Sequence, residues 1–209
     1  MARRTPLHAR TSDASLTGGV EGNARLTSSV AAVLFLLLFA EGVTILQIGG
    51  LISTHVFIGV LLLPPLLLKI GSTSWRFVRY YTGNPAYLRK GPPAPLLRLF
   101  GPLIVVLSLA VMASGVALVI GAPPSWRTQL LGIHKVTFVL WFLVTAVHVL
   151  GHLPETLKLA PRDWVRPTRR QVQGASVRQW LLVAGLAIGL ICAVWITPYA
   201  VGWRTAFTH

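Results

Sequence analysis

Apolar residues gather along this chain into five long runs, 30–48, 51–70, 96–121, 130–153 and 180–203, separated by shorter stretches rich in Gly, Pro and charge. An α-helix needs about 20 residues to cross roughly 30 Å of hydrocarbon, so each run has the length of a membrane span. The pattern predicts an all-α integral membrane protein. The expected arrangement is an antiparallel four-helix transmembrane bundle over 26–158, preceded by a disordered basic tail over 1–25. A basic connection and a fifth transmembrane helix over 159–209 follow, the helix packing at the periphery through a small-residue face at Gly185 and Gly189. Composition agrees, since 54% of the 209 residues are hydrophobic and only 11% charged. A soluble domain of that length could not hide so much apolar surface.

A net charge of +14 would point to nucleic acid in a soluble protein. Here its distribution points to orientation. All of the 19 Lys and Arg residues except Arg127, Lys135 and Arg204 fall on one side of a five-span zigzag. The positive-inside rule puts that side, with the N-terminus, in the cytoplasm and the C-terminus outside, in a multi-pass protein of the cell membrane. Basic segments beside the bilayer also attract anionic lipid. The first 23 residues are rich in Ser, Thr, Gly and Arg without hydrophobic periodicity and read as a mobile tail. A signal peptide fits poorly, because a long polar stretch precedes the first apolar run and Phe39-Ala40-Glu41-Gly42 is a poor cleavage site.

The 71–95 connection sets Trp75, Phe77, Tyr80, Tyr81 and Tyr87 among basic residues. That mixture suits an interfacial hairpin at the headgroup layer, or a docking surface for a partner. Gly91-Pro92-Pro93-Ala94-Pro95 then stiffens the entry to the third span. Pro64-Pro65 should kink the second. Cys192, the single cysteine, can form no intrachain disulfide and reads as a small packed residue.

Candidate chemistry enters with histidine. His55 and His134 each lie about four residues into a run, and the two runs have the same direction, so the rings share a depth to within a turn. Intramembrane ionisable groups are rare and point to function. A weak repeat frames the pair. Glu41-Gly42-Val43-Thr44-Ile45-Leu46 leads across a short loop to His55, and Ser114-Gly115-Val116-Ala117-Leu118 leads across a longer one to His134. Two imidazoles at one depth suit the two faces of a haem iron, and Gly42 and Gly115 would let a flat porphyrin edge approach the backbone. Packing or interfacial roles are the plain alternative for each residue alone. His148 follows His134 by 14 residues, roughly 21 Å along the axis and on nearly the same face, which is the spacing of a second haem. The equivalent position after His55 is Lys69, a poor ligand when protonated. His152, one turn beyond His148, cannot oppose it across one porphyrin.

On Thr54-His55-Val56-Phe57-Ile58-Gly59, Ser114-Gly115-Val116 and the His134/His148 spacing, residues 40–155 resemble the membrane b-type cytochromes of the cytochrome b561-like group. That group includes the haem-carrying anchor subunits of bacterial formate dehydrogenases and nickel-iron hydrogenases. The resemblance implies a four-helix core carrying electrons between a quinone pool and a partner redox protein. It implies His55 and His134 as ligands of an outer haem b, and His148 at an inner one that Lys69 leaves incomplete. Any haem would be non-covalent, because no Cys-x-x-Cys-His motif is present.

Glu41 is the one acid well inside a span, suited to an ion pair with Lys135, to a helix end, or to quinone protonation. His148, His152 and Glu155 share a helical face that could present ligands to Zn²⁺. No phosphate loop, nucleophile triad or nucleic-acid motif appears. Two function classes therefore remain: an electron-carrying cytochrome, as a carrier or an oxidoreductase subunit, and a haem-free scaffold or small transporter with a cytochrome-like outline.

Overall fold

A computed structural model describes residues 16–91 and 95–204. Most of the predicted tail, residues 92–94 of the proline-rich entry and residues 205–209 lie outside the described residues. Among the described residues there is no strand. The helices are α1 (Gly19–Leu46), α2 (Ile48–Tyr81), α3 (Pro85–Lys90), α4 (Pro95–Ile120), α5 (Arg127–Leu159), α6 (Arg166–Arg169), α7 (Ala175–Ile196) and α8 (Val201–Arg204). Five of them, α1, α2, α4, α5 and α7, are long and apolar enough to cross a membrane, as the five apolar runs predicted. The chain is a multi-pass membrane protein.

Helix boundaries depart from the apolar runs wherever polar residues find partners. α1 begins at Gly19, inside the segment expected to be a tail, because Asn23 and Arg25 are buried and bonded rather than solvated. Asn23 donates to the Ser72 carbonyl at 3.0 Å, tying the start of α1 to α2. The turn between α1 and α2 is Gln47 alone, so Gly49 and Gly50 lie within α2. α2 has 34 residues and at ~1.5 Å rise per residue spans roughly 50 Å, well beyond the hydrocarbon. Its last turns take up Trp75, Phe77, Tyr80 and Tyr81, so the expected interfacial hairpin is mostly a helical extension followed by α3.

Along its length α2 packs against both α1 and α7, which share a core cluster with it at Leu26, Val30, Leu34, Leu62 and Leu182, while α4 packs against α5. Lighter contacts join α1 to α5 and α2 to α4. The fifth span, α7, packs along α2 and, more lightly, against α1. Proline and glycine explain the approach. Pro65 has no N–H for the Leu61 carbonyl four residues earlier, and α7 presents Gly189 there: a Cβ on Gly189 would stand 2.6 Å from the Leu61 carbonyl oxygen. Small residues let helix backbones approach this closely in membranes.

A buried charge clasp closes one end of the molecule. Asp163, 2% exposed, accepts from Arg178 Nε and Nη2 at 2.6 Å each, and Arg25 Nη1 reaches its Oδ1 at 3.4 Å. Arg178 Nη1 also donates to the Thr17 and Gln173 carbonyls at 2.7 Å. Gly18 and Gly174, at φ 83° and 77°, turn the two strands of chain around this guanidinium so tightly that a Cβ on either would strike the other's neighbour. This end gathers the start of α1, the end of α2, the 160–178 connection and the start of α7. Arg127 lies over the Trp203 ring at the opposite end.

Candidate functional site

His55 on α2 and His134 on α5 come together. Their ring centres stand 6.4 Å apart and the planes cross at 86°. Both side chains are largely buried within long apolar helices, and each is held by the helix that precedes its own.

Hydrogen bonding determines which nitrogen of each ring is free. Ser114 Oγ donates within α4 to the Ala110 and Val111 carbonyls at 2.7 and 3.0 Å, so its oxygen is left to accept from His134 Nδ1 at 3.0 Å. The Val111 carbonyl, an acceptor only, lies 3.1 Å from the same Nδ1. His134 therefore carries its proton on Nδ1. The same logic holds across the bundle. Thr44 Oγ1 donates to the Glu41 carbonyl at 2.6 Å and so accepts from His55 Nδ1 at 3.0 Å, while Glu41 Oε1 stands 3.1 Å from that nitrogen. In both rings Nδ1–H is spent on the protein, which leaves the Nε2 lone pair to a ligand.

Glycines bring the helices close at this level, although only one of the two is among those expected. A Cβ on Gly115 would meet His134 Cε1 at 3.1 Å, so Gly115 is the seat of the ring. Gly42 is not brought to the site: it is exposed, and the space at its Cβ position is open. The close approach on the other side belongs to Gly59, whose Cβ would stand 3.2 Å from Glu41 Oε1. Glu41 Oε1 lies against His55, and Lys135, one of the partners considered for it, is exposed.

Thr44, Val111, Ser114 and Gly59 are site residues that sequence reasoning did not single out. Thr44 and Ser114 stood within the repeat, and the hydroxyl each unit places in the helix before its histidine was the available signal.

The inner cluster is built differently. The His148 and His152 rings lie 4.6 Å apart on α5, and His152 Nδ1 is 3.8 Å from Glu155 Oε2. Lys69 on α2 is bonded elsewhere, its Nζ donating to the Thr27 carbonyl at 3.0 Å. Among the described residues no imidazole of another helix is paired with His148, so no second ligand pair comes together there. Nor do His148, His152 and Glu155 form the Zn²⁺ site considered from sequence; among the described residues no group of three or more His, Cys, Asp or Glu is placed to hold a metal ion.

Comparisons of the chain with protein-family models, with curated proteins and with solved structures gave no match.

Proposed function

We propose that this protein is a b-type, haem-carrying electron-transfer protein of the membrane, in which His55 and His134 would hold one haem. The observation that carries this reading is the matched protonation of two facing rings. Metal-ligating histidines characteristically donate their other N–H to a carboxylate or a carbonyl, which fixes tautomer and orientation. Glu41 stands in that relation to His55, and Val111 to His134. Two imidazoles bonded to one iron at ~2 Å per bond hold their ring centres roughly 6 Å apart, in keeping with the 6.4 Å between these rings.

The residues fit the group by donor set and by burial. Bound there, haem would supply a one-electron centre. The chain's own contribution is to hold two neutral imidazoles at a common depth, exclude water with apolar helix faces, and keep a carboxylate beside one ring. The pairwise contacts α1–α2, α2–α4, α4–α5 and α5–α1 close a ring, which supports an antiparallel four-helix core around the site. Electron exchange with a membrane quinone and a partner redox protein follows the resemblance to b-type cytochromes. We place the basic end in the cytoplasm.

Absorbance of the purified, haem-supplemented protein is the test. A Soret band and a low-spin reduced-minus-oxidised difference spectrum are expected. His55→Ala or His134→Ala should abolish both, whereas Lys69→Ala should leave them intact. A folded protein without a Soret band would transfer the chain to the haem-free class, as a scaffold or small transporter.

A further inference from the structure

The apolar run of α2 ends at residue 70, yet the helix continues to Tyr81, roughly 16 Å farther along its axis. One side of this extension is anchored. Ser72 is buried, its carbonyl accepting from Asn23 and its hydroxyl from Thr27, both on α1, and Arg76 donates to the Gly91 carbonyl just after α3 at 3.3 Å. The other side is apolar and open. Trp75, Phe77, Val78 and Tyr81, each about half exposed, fall within one half of the helix circumference.

The level of that face is set by α4. The apolar span within α4 begins at Arg98, which donates to the Tyr81 hydroxyl and carries its guanidinium 5.1 Å from the centre of the Tyr81 ring. The end of α2 therefore stands where α4 enters hydrocarbon, in the headgroup layer that amphipathic rings favour. Beside Arg98, Leu99, Leu103 and Val106 follow one another at helical spacing and are 71%, 43% and 63% exposed, an apolar track leading from the cation into the membrane. Charge completes the surface. Arg79 lies over the Trp75 ring, Arg89 and Lys90 are exposed at the end of α3, and the chain has no acid between Glu41 and Glu155.

We infer that the end of α2, together with Arg98 of α4, is a docking surface for an anionic phospholipid. The Arg98 guanidinium, whose planar fork matches phosphate, and the Tyr81 hydroxyl meet the headgroup. The Phe77 and Tyr81 rings, 4.4 Å apart, pack on the glycerol region, and an acyl chain lies along Leu99, Leu103 and Val106. Arg79, Arg89 and Lys90 add the positive field that selects a net negative headgroup over a zwitterionic one. An acidic protein is the rival occupant, and the position of Arg98 at the start of a span favours lipid. The surface lies at the far end of α2 from His55, so it stands or falls independently of haem.

Binding of single lipids to the purified full-length protein in neutral detergent, read by native mass spectrometry, tests this. Phosphatidylglycerol should bind at least about tenfold more tightly than phosphatidylcholine with the same acyl chains. Arg98→Gln should weaken phosphatidylglycerol about fivefold, the worth of one basic residue beside anionic lipid. Arg166→Gln, an equal loss of charge on the exposed α6, should change it less than about twofold, because separated surface charges are screened. Equal affinity for the two lipids would overturn the proposal, as would displacement of the lipid by equimolar inorganic phosphate. Equal losses in the two variants would show attraction to net charge rather than to this surface, and unaltered binding in Arg98→Gln would leave the surface to an acidic protein; either result overturns it.

Discussion

At the scale of single residues, the site depends on where protons sit. Both imidazoles are oriented by acceptors on a neighbouring helix: Glu41 and Thr44 for His55, Val111 and Ser114 for His134. Removing such a partner typically lowers metal affinity ~10–100-fold without removing a ligand. Glu41→Gln and Ser114→Ala should each weaken haem binding by about that factor in a spectroscopic titration while the Soret band survives at saturation. Unchanged affinity in both variants would mean that the hydrogen bonds do not serve the metal. The buried clasp makes a different prediction. Asp163 is the acceptor for two guanidiniums that are themselves 1% and 2% exposed. Asp163→Ala takes the carboxylate from Arg178 and leaves Arg25 only the half-exposed Glu21, and breaking a buried pair by removing one partner costs roughly 3–5 kcal/mol. The melting temperature in detergent should fall sharply. The reverse change, Glu21→Ala, touches a half-exposed partner of Arg25 and should cost under ~1 kcal/mol.

Between elements, the decisive contact is α2 against α7. It combines two sequence features that act at a distance of more than a hundred residues: Pro65 leaves the Leu61 carbonyl without its helical donor, and Gly189 offers no side chain to obstruct that carbonyl. A single added methyl must displace backbone, and overpacking of this kind typically costs ~1–3 kcal/mol. Gly189→Ala should therefore lower thermal stability in detergent, and Gly185→Ala should be tolerated, because its Cβ would find only an ordinary contact with Pro65 at 3.9 Å. Equal effects at the two glycines would separate the helix contact from the proline.

For the whole molecule, contacts collect the basic segments at one end. Arg25 donates to the Thr168 carbonyl at 2.9 Å, Arg178 to that of Thr17 at 2.7 Å, and Arg76 to that of Gly91 at 3.3 Å. The zigzag read from charge asymmetry requires this sharing. Reporter fusions should accordingly place residues near Asn84 and Arg170 on the cytoplasmic side and residues near Ala122 on the other. Opposite locations for Asn84 and Arg170 would break the five-span topology.

Spans were legible in the chain because hydrocarbon thickness imposes a length and a composition that no folding partner is needed to reveal. His55 and His134 were legible for a related reason: an imidazole inside an apolar run stands out, and helix direction alone equalises their depth. Gly42 shows the limit of that logic. Periodicity placed a glycine in each repeat, but rotation about the α1 axis carries Glu41 and Thr44 to the site and Gly42 away from it, and the axis is oriented only by packing. The same holds for Glu41, whose partner lies on the next helix across a one-residue turn, and for Arg25, which a tail-like composition hid inside a clasp with Asp163 and Arg178. Pairings of this kind depend on which faces meet. Local sequence determines that helices form and how far they reach, while tertiary packing decided which polar atoms answer one another across the bundle.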